Sequence, residues 1–231
     1  MGGIFNIDGK FFSVMTKIAD LIILNILWII CCIPIVTIGA STTALNYVTL
    51  KMTKDEEAYI VKSFFHSFKQ NFRQSTVIWL FLLAGYIIAV VDLIILRDWA
   101  FQFSDIIRYV VLALMLILTF ITIYIFPIQA KFFNSIKNTF KNSFFISIRH
   151  LPSTIVMVLI LIGPFIAAYF INLLSQYIIL IYLLIGFSGT AYANSFFFNK
   201  IFENYLPKEE DAPEDTLEDN ENENAKNDIE E

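Results

Sequence analysis

Long apolar runs recur along this chain and constrain its fold more than any other feature. The runs cover about residues 18–38, 77–96, 106–126, 154–174 and 177–194. Each approaches the roughly 20 residues that an α-helix needs to cross about 30 Å of hydrocarbon. Hydrophobic residues make up 57% of the 231, including 24 Phe, which leaves too little polar surface for a soluble globular domain. The sequence therefore predicts an all-α fold, a polytopic transmembrane helical bundle with five spans.

The distribution of Lys and Arg between the loops predicts the orientation of the bundle. Loop 40–76 carries five basic residues and loop 128–153 carries four, whereas loop 97–105 carries only Arg97. Short cytoplasmic loops are enriched in Lys and Arg. Both basic loops and the C-terminus are therefore expected on the cytoplasmic side, and five spans place the N-terminus outside.

A second topology stays open, because residues 35–50 could cross back after Pro34. That crossing would give six spans and a cytoplasmic N-terminus, which suits Lys10 and Lys17. The segment is short and rich in Thr, so it would span poorly unless other helices packed around it. We therefore expect five spans and keep six as the alternative.

Two basic, Phe-rich segments, residues 64–75 and 132–143, are identical at six of twelve aligned positions. We call them the matched segments and favour an internal duplication as their origin. Each is predicted to lie in an amphipathic helix on the cytoplasmic face, at about 53–75 and 129–148, and Thr53 starts a capping-box pattern. A Phe face below a basic face suits a helix at the bilayer surface. The candidate docking or lipid-facing basic residues are Lys62, Lys69, Arg73, Lys137, Lys141 and Arg149.

A few polar residues within the predicted spans are candidates for function, because charge in lipid is costly. The candidates are Asp20, Asn25 and Asp92. Both carboxylates lie near span ends, and the favoured interpretation is that they reach the headgroup region. Asn25 is interpreted as a hydrogen-bonding link between helices, as are Asn172 and Asn194.

The residue patterns of catalysis and metal binding are absent from the sequence. His66 and His150 are the only histidines, and neither has a Cys, Asp or Glu at the spacing of a metal ligand. The adjacent Cys31 and Cys32 lie inside the first apolar run and are interpreted as small buried apolar side chains. We therefore expect no enzyme activity, no metal and no cofactor.

The last residues differ in composition from the rest. Residues 208–231 hold 2 Lys and 12 Asp or Glu, a net charge of −10, whereas residues 1–207 hold 14 basic and 9 acidic residues, a net charge of +5. A segment so acidic and so poor in apolar residues cannot bury enough surface to fold. The chain is thus predicted to consist of a helical membrane domain, 1–206, and a disordered acidic tail, 207–231.

One stretch, from Asn25 to Leu45, combines a Trp, a Pro and a Gly-Ala-Ser-Thr-Thr-Ala run. Together with the segments Phe64–Phe72 and Arg149–Pro152, it resembles the YesL-like family of bacterial membrane proteins, a family without an assigned molecular function. The resemblance covers about residues 1–206. It implies a location in the bacterial plasma membrane and supplies no catalytic residues.

Genes for members of that family often lie near carbohydrate-uptake genes. The resemblance therefore implies that this protein has a role in sugar import or its regulation. We therefore expect an accessory or permease-like component of carbohydrate uptake. Its expected partners are the lipid bilayer and a transporter subunit or another membrane protein, and no nucleic acid. The alternative is a membrane scaffold or sensor whose basic amphipathic helices bind anionic lipid.

Overall fold

The computed structural model describes residues 5–56, 59–98, 104–170 and 172–205, and the regular structure of these residues is entirely helical. A 3-10 turn at Ile35–Thr37 joins α1 to α2, and a π-helical turn at Tyr182–Gly186 joins α7 to α8. The all-α prediction is confirmed. The α-helices are α1 (Phe5–Cys32), α2 (Ile38–Met52), α3 (Ile60–Asp98), α4 (Ser104–Lys131), α5 (Ile136–Arg149), α6 (Leu151–Phe170), α7 (Asn172–Ile181) and α8 (Phe187–Phe202).

The chain divides into two compact units, Met1–Phe198 and Asn199–Glu231. In the second unit the structure describes the end of α8 and a short 3-10 turn at Glu203–Tyr205. The acidic tail predicted at 207–231 lies outside the described residues. The contacts and cavities discussed below belong to the first unit.

Five helical stretches are long and apolar enough to cross a membrane, as the sequence predicted. At most 29% of any spanning window is buried inside the protein, so most of these apolar side chains face outward. Such exposure would favour aggregation in water, but it suits contact with lipid. The stretches are Phe11–Cys32, Ile60–Leu96, Asp105–Lys131, Leu151–Phe170 and Gln176–Tyr205.

Helix α2, the segment that the sequence left as an alternative sixth span, is almost entirely buried. Eleven of its fifteen residues are buried, and α1, α3 and α4 all pack against it. Its many small residues let neighbouring helices approach from several sides. The hydroxyls of Thr43 and Thr49 donate to backbone carbonyls within the helix, at 2.9 and 3.2 Å, so burying them leaves no donor unsatisfied.

The chain reverses after Pro34, so that α2 runs antiparallel to α1. Trp28 Nε1 donates to Thr42 Oγ1 at 3.3 Å near the reversal, and Lys17 Nζ lies 2.7 Å from Asp55 Oδ1 at the other end. With fifteen residues, α2 is about 22 Å long, and it returns the chain to the end at which Lys17 lies. Lys17 and Asp55, which the predicted external N-terminus and cytoplasmic loop 40–76 put on opposite sides of the membrane, therefore lie next to one another.

The first matched segment lies inside α3, which begins at Ile60 rather than Thr53 and continues without a break to Asp98. The hydroxyl of Thr53 donates to the carbonyls of Thr49 and Leu50 at 3.2 and 3.0 Å, so this side chain completes the end of α2. The capping-box prediction is therefore wrong. The predicted surface helix and the second predicted span are one continuous helix of 39 residues.

The second matched segment begins in the connection after α4 and continues into α5. Helix α4 continues through Pro127 to Lys131, which extends the third span beyond its predicted end. Helix α5 begins at Ile136, later than the predicted start at 129, because Ser135 provides its N-cap. The Ser135 hydroxyl accepts a hydrogen bond from the backbone N–H of Asn138 at 3.4 Å.

Candidate functional site

A cavity of about 240 Å³ lies among α1, α2, α3, α4, α6 and α8. Ligand sites of helical membrane proteins and bundles commonly occupy such spaces between helices. Among the residues that the structure describes, none that lines this cavity is charged. Its aromatic lining residues are Trp28, Trp79, Phe126, Phe187 and Phe198, and its polar ones are Thr42, Asn46, Thr122, Thr190 and Asn194.

Two tryptophans in the lining are held in place by hydrogen bonds from their indole nitrogens. Trp28 donates to Thr42 Oγ1, and its ring lies against Phe187 with 4.4 Å between ring centroids. Trp79 donates to the backbone carbonyl of Ile35 at 2.8 Å, just after the break between α1 and α2. Because both N–H donors have partners, the rings contribute rigid apolar surface to the cavity.

Most polar side chains of the lining make local hydrogen bonds. Asn46 Nδ2 donates to the Thr42 carbonyl at 2.8 Å, and the Thr190 hydroxyl donates to the Phe187 carbonyl at 2.9 Å. Thr122 donates to the Leu118 carbonyl at 2.8 Å. These bonds fix the side chains without using all of their hydrogen-bonding capacity.

Asn194 is the exception, because its Oδ1 atom is buried and has no hydrogen-bond partner among the described residues. The residue is only 8% exposed and lines the cavity. A buried acceptor without a partner costs about 1–3 kcal/mol, and such groups are rare enough in proteins to require a reason. The sequence interpretation of Asn194 as a helix-to-helix link does not account for this atom.

Irregular backbone lies beside the cavity. Pro127 lines it and has no N–H, so the carbonyl of Ile123, also in the lining, lacks its usual helical partner. The π-helical turn at Tyr182–Gly186 directly precedes Phe187. In membrane proteins, irregular backbone at membrane depth is tolerated where it lines a cavity, and broken helices mark the binding sites of many transporters.

Asn25 supports this irregular region from α1. Its side-chain nitrogen donates to the carbonyls of Tyr182 and Leu183 at 3.1 and 2.8 Å, and its oxygen accepts from the Ser188 backbone N–H at 3.0 Å. The side chain is fully buried. The structure thus agrees with Asn25 as a link between helices, and it does not place Asn25 in the cavity lining.

Small polar side chains make up much of the buried face of the matched segments, a feature that the predicted Phe face toward the bilayer did not include. Phe65 and Phe72 are 39% and 41% exposed, although Phe64 is fully buried. Residues four apart share a helix face, and small polar residues on it permit close approach between helices. A four-residue spacing of Ser, Thr and Asn was the overlooked signal. The buried residues with this spacing are Ser67, Asn71 and Ser75 in α3 and Thr139, Ser143 and Ser147 in α5.

The two matched segments contact one another through Gln129 at the end of α4. Gln129 Nε2 donates to Asn71 Oδ1 at 3.3 Å, and Thr139 Oγ1 donates to Gln129 Oε1 at 3.4 Å. Asn71 and Thr139 hold the same aligned position in the two segments. The segments therefore form one joint polar contact, and a pocket of about 280 Å³ between Lys51 and Lys131 lies beside it.

The basic residues proposed from sequence stay on exposed helix faces. Lys62, Lys69 and Arg73 are exposed on α3, and Lys137, Lys141 and Arg149 are exposed on α5. Asp92 is also exposed, near the end of α3, whereas Asp20 is half-buried on α1. The structure brings Asp20, Lys62 and Lys69 together along one groove.

The described part of the chain contains no group of three or more His, Cys, Asp and Glu residues that could hold a metal ion. His150, between α5 and α6, has a lowered pKa because of partial burial and the positive charge of the neighbouring Arg149. Its imidazole is therefore neutral near pH 7.

The fold, with five helices long and apolar enough to cross a membrane, is that of a multi-pass helical membrane protein. A family model for DUF624, described as a protein of unknown function, matches residues 21–93 of this chain. The similarity thus covers α1 from Leu21, all of α2, and α3 as far as Leu93, and it includes Trp28 and Trp79 of the cavity. No curated protein and no solved structure matches the chain.

Proposed function

We propose that this protein is a non-catalytic, permease-like or accessory component of the bacterial plasma membrane that binds a small neutral carbohydrate. The cavity that contains Trp28, Trp79 and Asn194 is the observation that carries the proposal. The resemblance to the YesL-like family supplies the link to carbohydrate uptake. The cavity supplies a separate chemical reason for the same ligand class.

The lining chemistry favours a polyhydroxylated molecule. A sugar ring has C–H faces that pack on aromatic rings, and its hydroxyls both donate and accept hydrogen bonds. Asn194, whose Oδ1 atom has no hydrogen-bond partner among the described residues, and Asn46 bring two side-chain amides to the same lining. An uncharged lining disfavours a charged ligand, because burying an unpaired charge costs far more than burying a hydroxyl.

The cavity volume restricts the size of the ligand. Pockets for drug-sized ligands have roughly 300–1,000 Å³. At about 240 Å³, this cavity is below that range. A monosaccharide therefore fits the proposal better than an oligosaccharide does.

The proposed membrane topology rests on the basic loops and on the ion pair between Lys17 and Asp55. If the basic loops face the cytoplasm, the C-terminus does as well. The N-terminal end of α1 then lies on that side too, since α2 returns the chain to the level of Lys17. This orientation also places Lys10 and Lys17 on the side that favours basic residues.

Ligand binding is tested with the full-length protein in nanodiscs, because maltoside and glucoside detergents carry sugar headgroups that would compete. Trp99→Phe leaves Trp28 and Trp79 as the reporting tryptophans. We expect a saturable fluorescence change with at least one neutral monosaccharide and none with the corresponding sugar phosphate.

The variant Asn194→Leu should weaken this binding by about tenfold, which corresponds to one hydrogen bond of about 1.4 kcal/mol. Asn138→Leu, on the exposed face of α5, is the matched control and should bind like the parent protein. Tighter binding of sugar phosphates than of neutral sugars would overturn the proposal. So would the absence of saturable binding across a broad panel of neutral monosaccharides.

A further inference from the structure

A groove of about 830 Å³ runs between α1 and α3, and it shares no lining residue with the cavity. Its apolar wall includes Ile23 of α1 and Val61 and Phe65 of α3, which are 43%, 49% and 39% exposed. Both helices contain stretches long and apolar enough to span a membrane. The groove therefore faces lipid rather than the interior of the bundle.

Charged residues of both signs line this groove. Lys62 and Lys69 are seven residues apart on α3, which places them on one helix face about 10 Å apart along the axis. Asp20 lies on the α1 side, and the imidazole of His66 lies between the two lysines in sequence. The groove thus combines two cations on one wall with one carboxylate on the other.

These three charges have no partners within the described protein. The ion pairs of the described residues join Lys17 to Asp55 and Arg108 to Asp105, and neither includes Asp20, Lys62 or Lys69. A carboxylate within an apolar span is costly unless a cation or water compensates it. An unpaired carboxylate facing unpaired lysines across an apolar groove indicates a ligand that carries both charges.

We propose that the groove binds a zwitterionic phospholipid with a primary amine, of the phosphatidylethanolamine class. Lys62 and Lys69 bind the phosphate, Asp20 accepts hydrogen bonds from the ammonium group, and an acyl chain lies along Ile23, Val61 and Phe65. Ammonium and phosphate groups form strong charge-assisted hydrogen bonds with such partners. This site lies outside the cavity and does not depend on the sugar-binding proposal.

The choice of this lipid follows from charge and hydrogen-bonding capacity. A purely anionic headgroup, such as phosphatidylglycerol, would satisfy the lysines but leave Asp20 without a cation. Phosphatidylcholine carries a positive charge but no N–H donor for the carboxylate. A soluble zwitterion would leave the apolar wall of the groove uncovered.

The inference is tested by titrating delipidated full-length protein with phosphatidylethanolamine, phosphatidylglycerol and phosphatidylcholine of identical acyl chains. Native mass spectrometry then counts the lipids that remain bound. We expect phosphatidylethanolamine to bind most tightly. Asp20→Asn should weaken that binding by about tenfold and leave phosphatidylglycerol binding unchanged or stronger.

The lysine variants and their controls separate this site from general attraction to lipid. Lys62→Gln with Lys69→Gln should weaken both phosphatidylethanolamine and phosphatidylglycerol, whereas Lys137→Gln with Lys141→Gln, on the exposed face of α5, should weaken neither. Unchanged binding in the Asp20→Asn protein would overturn the inference. Equal binding of all three lipids, or preference for phosphatidylglycerol, would also overturn it. Circular dichroism of each variant checks that the helices have folded.

Discussion

The side-chain oxygen of Asn25 accepts a hydrogen bond from the backbone N–H of Ser188 at 3.0 Å. The same side chain donates to two carbonyls of the π-helical turn, and the Ser188 hydroxyl donates back to the Leu21 carbonyl at 2.7 Å. The regular i→i−4 ladder is interrupted at a π turn, so its backbone groups need partners from elsewhere. A polar residue of the first span therefore stabilises an irregular turn in the last span.

Replacing Asn25 with Leu should lower the free energy of unfolding by about 2 kcal/mol, because buried backbone groups near the π turn lose their partner. Unfolding is followed by tryptophan fluorescence during titration with a denaturing detergent. Asn138→Leu, an exposed substitution of the same kind on α5, should change the transition little. Equal stability of Asn25→Leu and the parent protein would contradict the structural role.

Gly39 sets the distance between α2 and α3. A Cβ atom at this position would lie 2.6 Å from Trp79 Cβ and closer still to the Ser75 backbone carbonyl oxygen. The backbone atom cannot move without moving α3, so Gly39→Ala should destabilise the protein by about 1–3 kcal/mol. Trp79 lines the cavity, so its fluorescence spectrum should also shift.

Gly189 of α8 provides the matched control for this substitution, since the side-chain atom that a Cβ added there would meet is Ile185 Cγ1 at 4.0 Å, an ordinary contact. Alanine is the better helix former, so Gly189→Ala should be neutral or stabilise the protein by up to about 1 kcal/mol. Unfolding curves of both variants, measured side by side, check the contrast. Indistinguishable curves would mean that α2 and α3 are not in close contact at Gly39.

The return of α2 to the level of Lys17 predicts a chemical crosslink. In a background with Cys31→Ala and Cys32→Ala, the variant Lys17→Cys with Asp55→Cys should be joined by a short bifunctional maleimide. In the described structure Lys17 Nζ lies 2.7 Å from Asp55 Oδ1, so the two positions are within reach of such a reagent. Crosslinking is read as a mobility shift on a denaturing gel.

The control pair for this crosslink is Lys17→Cys with Asp92→Cys. Asp92 lies about 48 Å along α3 from the start of that helix at Ile60, so this pair should not react. Both Lys17→Cys and Asp55→Cys should also label from the same side of the membrane. Labelling from opposite sides would support the five-span topology with an external N-terminus.

The spans could be predicted from the sequence because run length and hydropathy are local properties that the bilayer thickness fixes. The end of α2 could not be predicted from the sequence. The capping-box spacing at Thr53 is compatible with the start of a new helix and also with the end of the preceding one. The Thr53 hydroxyl bonds backwards to the Thr49 and Leu50 carbonyls, and two residues later Asp55 pairs with Lys17 of α1. A pattern of four residues alone does not distinguish these two outcomes.

The cavity could not be predicted for a related reason. Its lining combines Trp28 with Thr42, Trp79, Phe126 and Asn194, which are distant in sequence and separately resemble ordinary span residues. The sequence did indicate that Asn25 and Asn194 were unusual within apolar runs. Only the packing of the helices distinguishes their roles, since Asn25 has three hydrogen bonds and the Asn194 Oδ1 atom has none within the described residues.

Gln129 should couple the two matched segments energetically as well as geometrically. Gln129→Leu removes the donor to Asn71 and one of the two acceptors of Thr139, whose hydroxyl keeps the Ser135 carbonyl, and it should cost about 1–2 kcal/mol. Gln74 makes a second contact between the segments, donating to the Asn134 carbonyl at 2.6 Å. Because both contacts hold the same pair of elements together, the effects of Gln129→Leu and Gln74→Leu should not add.

A double-mutant cycle on the free energy of unfolding tests this coupling, with Gln70→Leu as the control because Gln70 is exposed on α3. Once Gln129→Leu has loosened the contact, Gln74→Leu should cost less than it does in the parent protein, while Gln70→Leu should cost the same in both backgrounds. Strict additivity of Gln129→Leu and Gln74→Leu would show that the matched segments respond independently. Their similarity in sequence would then have no counterpart in the energetics of the fold.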